Sequence, residues 1–156
     1  MKALVIYDSV FGNTEKIARA VGEGIVAQVV KVDALQDGAL AGVALLLVGS
    51  PTRAFRPTEG IQKFLRGLPK NALEGISVGG FDTRADVATV NNRVLTSMVK
   101  VFGYAAEPIA SSLVKKGGHQ VVAPAGFFIE ESEGPLRAGE LERAKEWGKQ
   151  AAGKVS

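Results

Sequence analysis

The sequence predicts an α/β fold: a doubly wound, five-stranded parallel sheet of order 2-1-3-4-5 with helices on both faces, in one domain spanning residues 1–156. Three observations predict it. Two continuous apolar runs, Ala3-Leu4-Val5-Ile6-Tyr7 and Val43-Ala44-Leu45-Leu46-Leu47-Val48, lack the polar alternation of a half-exposed strand and read as strands buried on both faces. Between them Ile17, Val21 and Ile25 recur every four residues with Ala18 beside them, the stripe of an amphipathic helix. Helical and strand patterns keep alternating along the chain, the signature of right-handed crossovers between parallel strands.

Taken in order, the first apolar run and its helix lead to a minor strand near Val29-Val30-Lys31-Val32 and then to the second apolar run. Ile61, Phe64, Leu65 and Leu68 mark a second helix, and Ile76-Ser77-Val78-Gly79-Gly80-Phe81 a further strand. A last strand is expected at Gln120-Val121-Val122-Ala123, and a C-terminal helix from Gly139 with Leu141, Ala144 and Trp147 facing inward. Asp82 to Asn92 and Phe127 to Leu136 read as long irregular stretches, which in compact domains are often functional.

Composition excludes several chemistries. The chain has no Cys, so thiolate catalysis, disulfides, iron–sulfur clusters and Cys-based zinc sites are absent. Its single His, His119, rules out a multi-His metal site and reads as a solvated turn residue after Lys115-Lys116-Gly117-Gly118. Lys and Arg number 19 against 16 Asp and Glu, a surplus too small and too dispersed to argue for nucleic acid. The apolar run after Lys2 is too short for a signal-peptide core, and none approaches the roughly 20 residues of a membrane span. A soluble, cytoplasmic protein without nucleic-acid or membrane partners is the expectation.

In a sheet of this kind ligands collect at the carboxyl ends of the strands. Asp8-Ser9-Val10-Phe11-Gly12-Asn13-Thr14 joins the first strand to the first helix and offers hydroxyls, an amide and a Gly at a helix N-terminus. Such a turn either cradles a phosphate on backbone N–H groups or is an ordinary capped helix start. It holds no Lys, so it is not a loop for a triphosphate with magnesium. Two further segments, Gly49-Ser50-Pro51-Thr52-Arg53-Ala54-Phe55-Arg56-Pro57-Thr58 and Gly80-Phe81-Asp82-Thr83-Arg84, follow the next two central strands.

With Tyr-Asp-Ser-x-Phe-Gly-Asn-Thr, Gly-Ser-Pro-Thr-Arg and Phe-Asp-Thr-Arg each after its proper strand, the whole chain resembles the flavodoxin family, in particular its single-domain, short-chain-like members. The resemblance implies non-covalent FMN, with the phosphate at Ser9, Val10, Phe11, Gly12, Asn13 and Thr14. Pro51, Thr52, Arg53, Ala54 and Phe55 would line one face of the flavin ring, and Phe81, Asp82 and Thr83 the other. Aromatic stacking is open to Phe55 or Phe81, either of which could instead fill core. It also implies redox partner proteins, a reductase and an acceptor.

Two departures stand out. Phe11 replaces the hydroxyl residue usual at its place, and no Gly lies between Ser50 and Pro57, where the family's electron shuttles use one for a peptide flip. A flip into positive φ is costlier for Arg53, Ala54 or Phe55 than for Gly. Arg53, Arg56 and Arg84 put positive charge in or beside the ring loops. Gly22 to Ala27 matches a dinucleotide pattern in letters but lies late in a helix, and Glu130, Glu131 and Glu133 read as a solvated acidic loop. The readings are an FMN redox carrier, an FMN-dependent NAD(P)H:quinone-type oxidoreductase, and a flavin-free binding module of the same fold.

Overall fold

A computed structural model of the chain describes residues 1–85, 103–131 and 133–155. The elements are β1 (Ala3–Tyr7), α1 (Asn13–Ile25), β2 (Gln28–Lys31), a 3-10 turn (Val32–Ala34), β3 (Leu45–Pro51), α2 (Glu59–Gly67) and β4 (Ser77–Ala85), followed by α3 (Ala106–Lys115), β5 (His119–Gln120), β6 (Ala125–Ile129) and α4 (Glu140–Gly153). The described strands pair in parallel in the order β2-β1-β3-β4-β5, with β6 also on β4.

The alternation of strand side chains explains why the central runs are apolar throughout. Val5, Leu45, Leu47 and Phe81 face α1 and α4, while Leu4, Ile6, Leu46, Val48 and Val78 face α2 and α3. Both faces are thus covered, and each helix contributes the stripe its sequence carries: Ile17, Ala18 and Val21 from α1, Ile61 and Leu65 from α2. Thr58 caps α2 by accepting from the Ile61 N–H, with Glu59 in its first turn and Arg66 in its last, as the helix dipole favours.

The last strand differs from expectation. Residues 119–120 and 125–129 pair with the two ends of β4, so β5 and β6 are one edge strand interrupted around Pro124, which has no N–H to donate. Three residues of the expected Phe127–Leu136 irregular stretch therefore belong to a strand. Of the expected Asp82–Asn92 stretch, 82–85 extend β4 and the remainder lies outside the described residues. Leu141, expected inside α4, is 42% exposed, whereas Ala144 and Trp147 are buried. Gly22 belongs to close packing: a Cβ there would lie 2.4 Å from a Val29 methyl.

Candidate functional site

The carboxyl ends of β1, β3 and β4 open on a cavity of about 460 Å³. Its wall is built from three places: Val10, Phe11, Asn13 and Thr14 from the β1–α1 turn, Pro51, Thr52, Arg53 and Ala54 after β3, and Thr83, Arg84 and Ala85 from the end of β4. Ile129 closes it from β6.

The β1–α1 turn is organised by Ser9, whose Oγ accepts from the N–H of Gly12 at 3.1 Å and of Glu15 at 3.4 Å. Gly12 takes φ +92°, the left-handed conformation that a side chain disfavours. It leaves α1 with no side-chain cap at its Ncap position. The backbone N–H groups of Val10, Phe11, Asn13 and Thr14 meet no acceptor among the described residues. Together with the positive end of the α1 dipole they make a cradle of donors whose chemistry suits an anion. Thr14 is buried and its Oγ1 lies 2.7 Å from Thr83 Oγ1, tying the turn to β4. Asn13 Nδ2 donates to the Glu133 carbonyl, anchoring the acidic loop beside the cradle.

The β3 segment is a tight hairpin. Arg53 and Arg56 exchange both backbone hydrogen bonds, at 2.7 and 3.0 Å, and the two residues between them, Ala54 and Phe55, have φ 49° and 68°. Two left-handed central residues define the type I′ geometry that usually requires Asn-Gly. Positive φ is thus already built in at the positions where the sequence makes it costly. The turn divides its side chains: Ala54 lines the cavity, whereas Phe55 and Arg56 line a separate recess on the other side. Thr52 Oγ1 accepts from the Ala105 N–H, fixing the base of the hairpin to the start of α3.

Besides Phe55, two further residues expected at the ring are elsewhere. Phe81 is fully buried and packs edge-on against Phe127 and Trp147, its ring lying over Gly49, where a Cβ would approach within 2.1 Å. Asp82, also fully buried, accepts from the Ala106 N–H at the start of α3 and holds Arg84 in a two-pronged ion pair at 2.7 and 2.8 Å. Burial raises its pKa above the usual carboxylate range, against the lowering pull of Arg84 and of the Ala106 hydrogen bond. Arg84 in turn lies 3.6 Å from the centroid of the Tyr104 ring. The Arg84 charge at the cavity wall is therefore balanced, and the solvent-facing cation of the wall is Arg53, which sits over the Phe11 ring at 5.5 Å. Phe11 is the aromatic ring among the described cavity residues.

Among solved structures, an oxidised flavodoxin 1 from Bacillus cereus is 16% identical and superposes with a TM-score of 0.77 over 100% of both chains. A flavodoxin from the domain Archaea is 22% identical with a TM-score of 0.74 over 99% of each chain. A flavodoxin, WrbA-like protein from Agrobacterium tumefaciens is 23% identical with a TM-score of 0.72 over 98% of each. The fold is the flavodoxin fold. No family model and no curated protein sequence matches the chain.

In this flavodoxin fold the cavity lies where the strand order reverses between β1 and β3, the topological switch point of a doubly wound sheet. Ala85 and Ile129 joined the wall without being expected. The signal for Ile129 was the run Phe127-Phe128-Ile129, which reads as a short strand once Pro124 is taken as an interruption. Neither a metal-binding cluster nor a helix long and apolar enough to cross a membrane occurs among the described residues.

Proposed function

We propose that the chain binds FMN and carries electrons between a reductase and an acceptor protein. One observation carries the reading: a turn of backbone N–H donors at a helix N-terminus opens on an organic-sized cavity at the switch point of the sheet. The N–H groups of Val10, Phe11, Asn13 and Thr14, which meet no acceptor among the described residues, suit a phosphate monoester, and the volume lies in the range of small-molecule sites. Bound flavin supplies the electron transfer itself. The chain's residues bind and orient. The cradle takes the phosphate, Pro51 to Ala54 form one wall for the ring, and Thr83 with Ile129 forms the opposite one. Arg53 and Phe11 flank the mouth, where a partner would approach. No side chain in the wall is a strong general acid or base, which suits electron transfer.

The test is spectroscopic. Purified protein is expected to absorb near 450 nm (about where oxidised flavins absorb) or to acquire that band on FMN titration, with riboflavin binding far more weakly. Equal affinity for riboflavin would remove the phosphate assignment, and no binding of either would leave a flavin-free module. NAD(P)H oxidation by the flavin-loaded protein without a reductase would instead assign the oxidoreductase reading.

A further inference from the structure

We propose that the recess between α2 and α3 is a second ligand site, for a nucleoside phosphate whose base carries an exocyclic amine. It has a volume of about 680 Å³ and shares only the Arg53–Arg56 hairpin as a partition with the first cavity, since the two have no lining residue in common. Phe55, Pro57, Leu65 and Pro108 give its lining an apolar part, the kind of surface an aromatic base packs against.

Its rim is cationic. Arg56, Arg66, Lys115 and Lys116 line it, and no Asp or Glu does among the described residues. Two of these charges are already engaged. Arg66 pairs with Glu59, and Lys116 Nζ donates to the Arg66 and Leu68 carbonyls at the end of α2. Arg56 and Lys115 are exposed and have no carboxylate partner among the described residues. Two uncompensated cations beside an apolar lining select an anion with an aromatic body. A concave recess of this volume suits a small molecule rather than a partner protein's flat surface.

Gln62 narrows the chemistry. Its Nε2 donates to the Pro57 carbonyl at 2.8 Å, which fixes the amide and leaves Oε1 as the acceptor that this lining residue has to offer. An exocyclic base amine satisfies that acceptor; the Ser112 hydroxyl, also in the lining, is a partner for a ribose hydroxyl. The class is therefore a nucleoside phosphate with an amino-bearing base, and the phosphates fall to Arg56 and Lys115.

The probe is ADP, titrated into the full chain with and without excess FMN and followed by calorimetry and amide chemical shifts. Saturable binding, unaffected by FMN, with shifts at Gln62, Ser112 and Lys115 is expected. Arg56→Ala with Lys115→Ala should weaken ADP by about tenfold or more, as should replacing ADP by adenosine, while circular dichroism shows the fold intact. Gln62→Leu should narrow the preference for ADP over UDP. The proposal is overturned by no saturation at roughly 10 mM ADP, by equal affinity in the double variant, or by displacement of ADP on adding FMN. Capture of a Glu-rich peptide that ADP does not displace would assign the recess to an acidic protein instead. Calorimetry reads ADP whether or not flavin binds, so failure of the flavin reading leaves this test intact.

Discussion

Thr14 and Thr83 show how single side chains join loops far apart in sequence. Their hydroxyls lie 2.7 Å apart across a buried contact, and Ser9 holds the same turn by accepting two backbone N–H groups. Thr14→Ala or Ser9→Ala is expected to weaken FMN by about 1–3 kcal/mol each, read by titration, because the donors that face a charged phosphate lose their alignment. Gly12→Val should weaken it further. A Cβ at Gly12 meets nothing within 4 Å, so the cost comes from its φ of +92° rather than from crowding. Asp82 carries a different expectation. Its raised pKa means that the folded chain holds this proton more tightly than the unfolded chain, so its contribution to stability falls as pH rises through the carboxylate range and above. Arg84→Met removes the offsetting cation from a fully buried carboxylate and should cost about 3–5 kcal/mol. It should also steepen the decline as pH rises above the usual carboxylate range, measured by urea unfolding. A slope equal to that of the parent would mean that Arg84 does not hold Asp82 ionised. Phe81 and Asp82 also show where sequence reading stops. Position after a strand is visible in the letters, but which side a residue points to depends on Gly49 making room for one and on the start of α3 claiming the other.

At the scale of elements, the Arg53–Arg56 hairpin is the part that sequence reasoning had furthest from the structure. The absence of Gly argued against positive φ there, yet the two crossed backbone bonds and the anchor from Thr52 to Ala105 hold Ala54 and Phe55 in it. Each left-handed non-glycine residue costs roughly 1–2 kcal/mol, while Gly adds back about 0.5–1 kcal/mol through the freer unfolded chain. Ala54→Gly is therefore expected to stabilise the protein by about 0.5–1 kcal/mol in denaturant unfolding; a loss of stability would show that the surrounding contacts, not strain, set the energy of this turn. The helices were more legible, because a stripe such as Ile17-Ala18-Val21 can be read without its partners. The edge strand was less so, since its interruption at Pro124 splits one pattern into two short ones. The α4 start supplies a counterpart to Asp82. Burial alone would raise the Glu140 pKa, but hydrogen bonds from Arg143 and from the Phe128 N–H outweigh it and lower the value. Such a carboxylate stabilises the fold above its unfolded pKa, and that contribution is lost as pH falls through the lowered one. Glu140→Gln should cost about 1–3 kcal/mol near neutral pH and progressively less in acid, which a series of unfolding curves checks.

Across the whole molecule the net charge of +3 conceals where the cations lie. The three arginines that sequence places near the ring do not act together. Arg84 is balanced by Asp82, Arg56 faces the α2–α3 recess, and Arg53 remains at the cavity mouth over Phe11. Fold class and strand order were legible because they follow from buried runs and alternation, which belong to the chain as a whole. The division of arginines was not, because it follows from a hairpin whose sides face different cavities. Among the described residues of the cavity wall, the same division leaves one exposed cation to act on a bound flavin, screened beyond about 10 Å at ordinary ionic strength. Reducing the flavin adds negative charge near that wall, which a nearby cation favours and a nearby carboxylate opposes. Arg53→Glu changes the local charge by two units, but in solvent each is worth less than about 1 kcal/mol, and 1.4 kcal/mol corresponds to about 59 mV for one electron. The midpoint potential of the flavin-loaded protein is therefore expected to fall by roughly tens of millivolts, and by less as salt is raised. Arg56→Glu, on the far side of the hairpin, should move it less. Spectroelectrochemical titration of both variants checks the argument: equal shifts would mean that net charge, not the placement of Arg53, sets the potential.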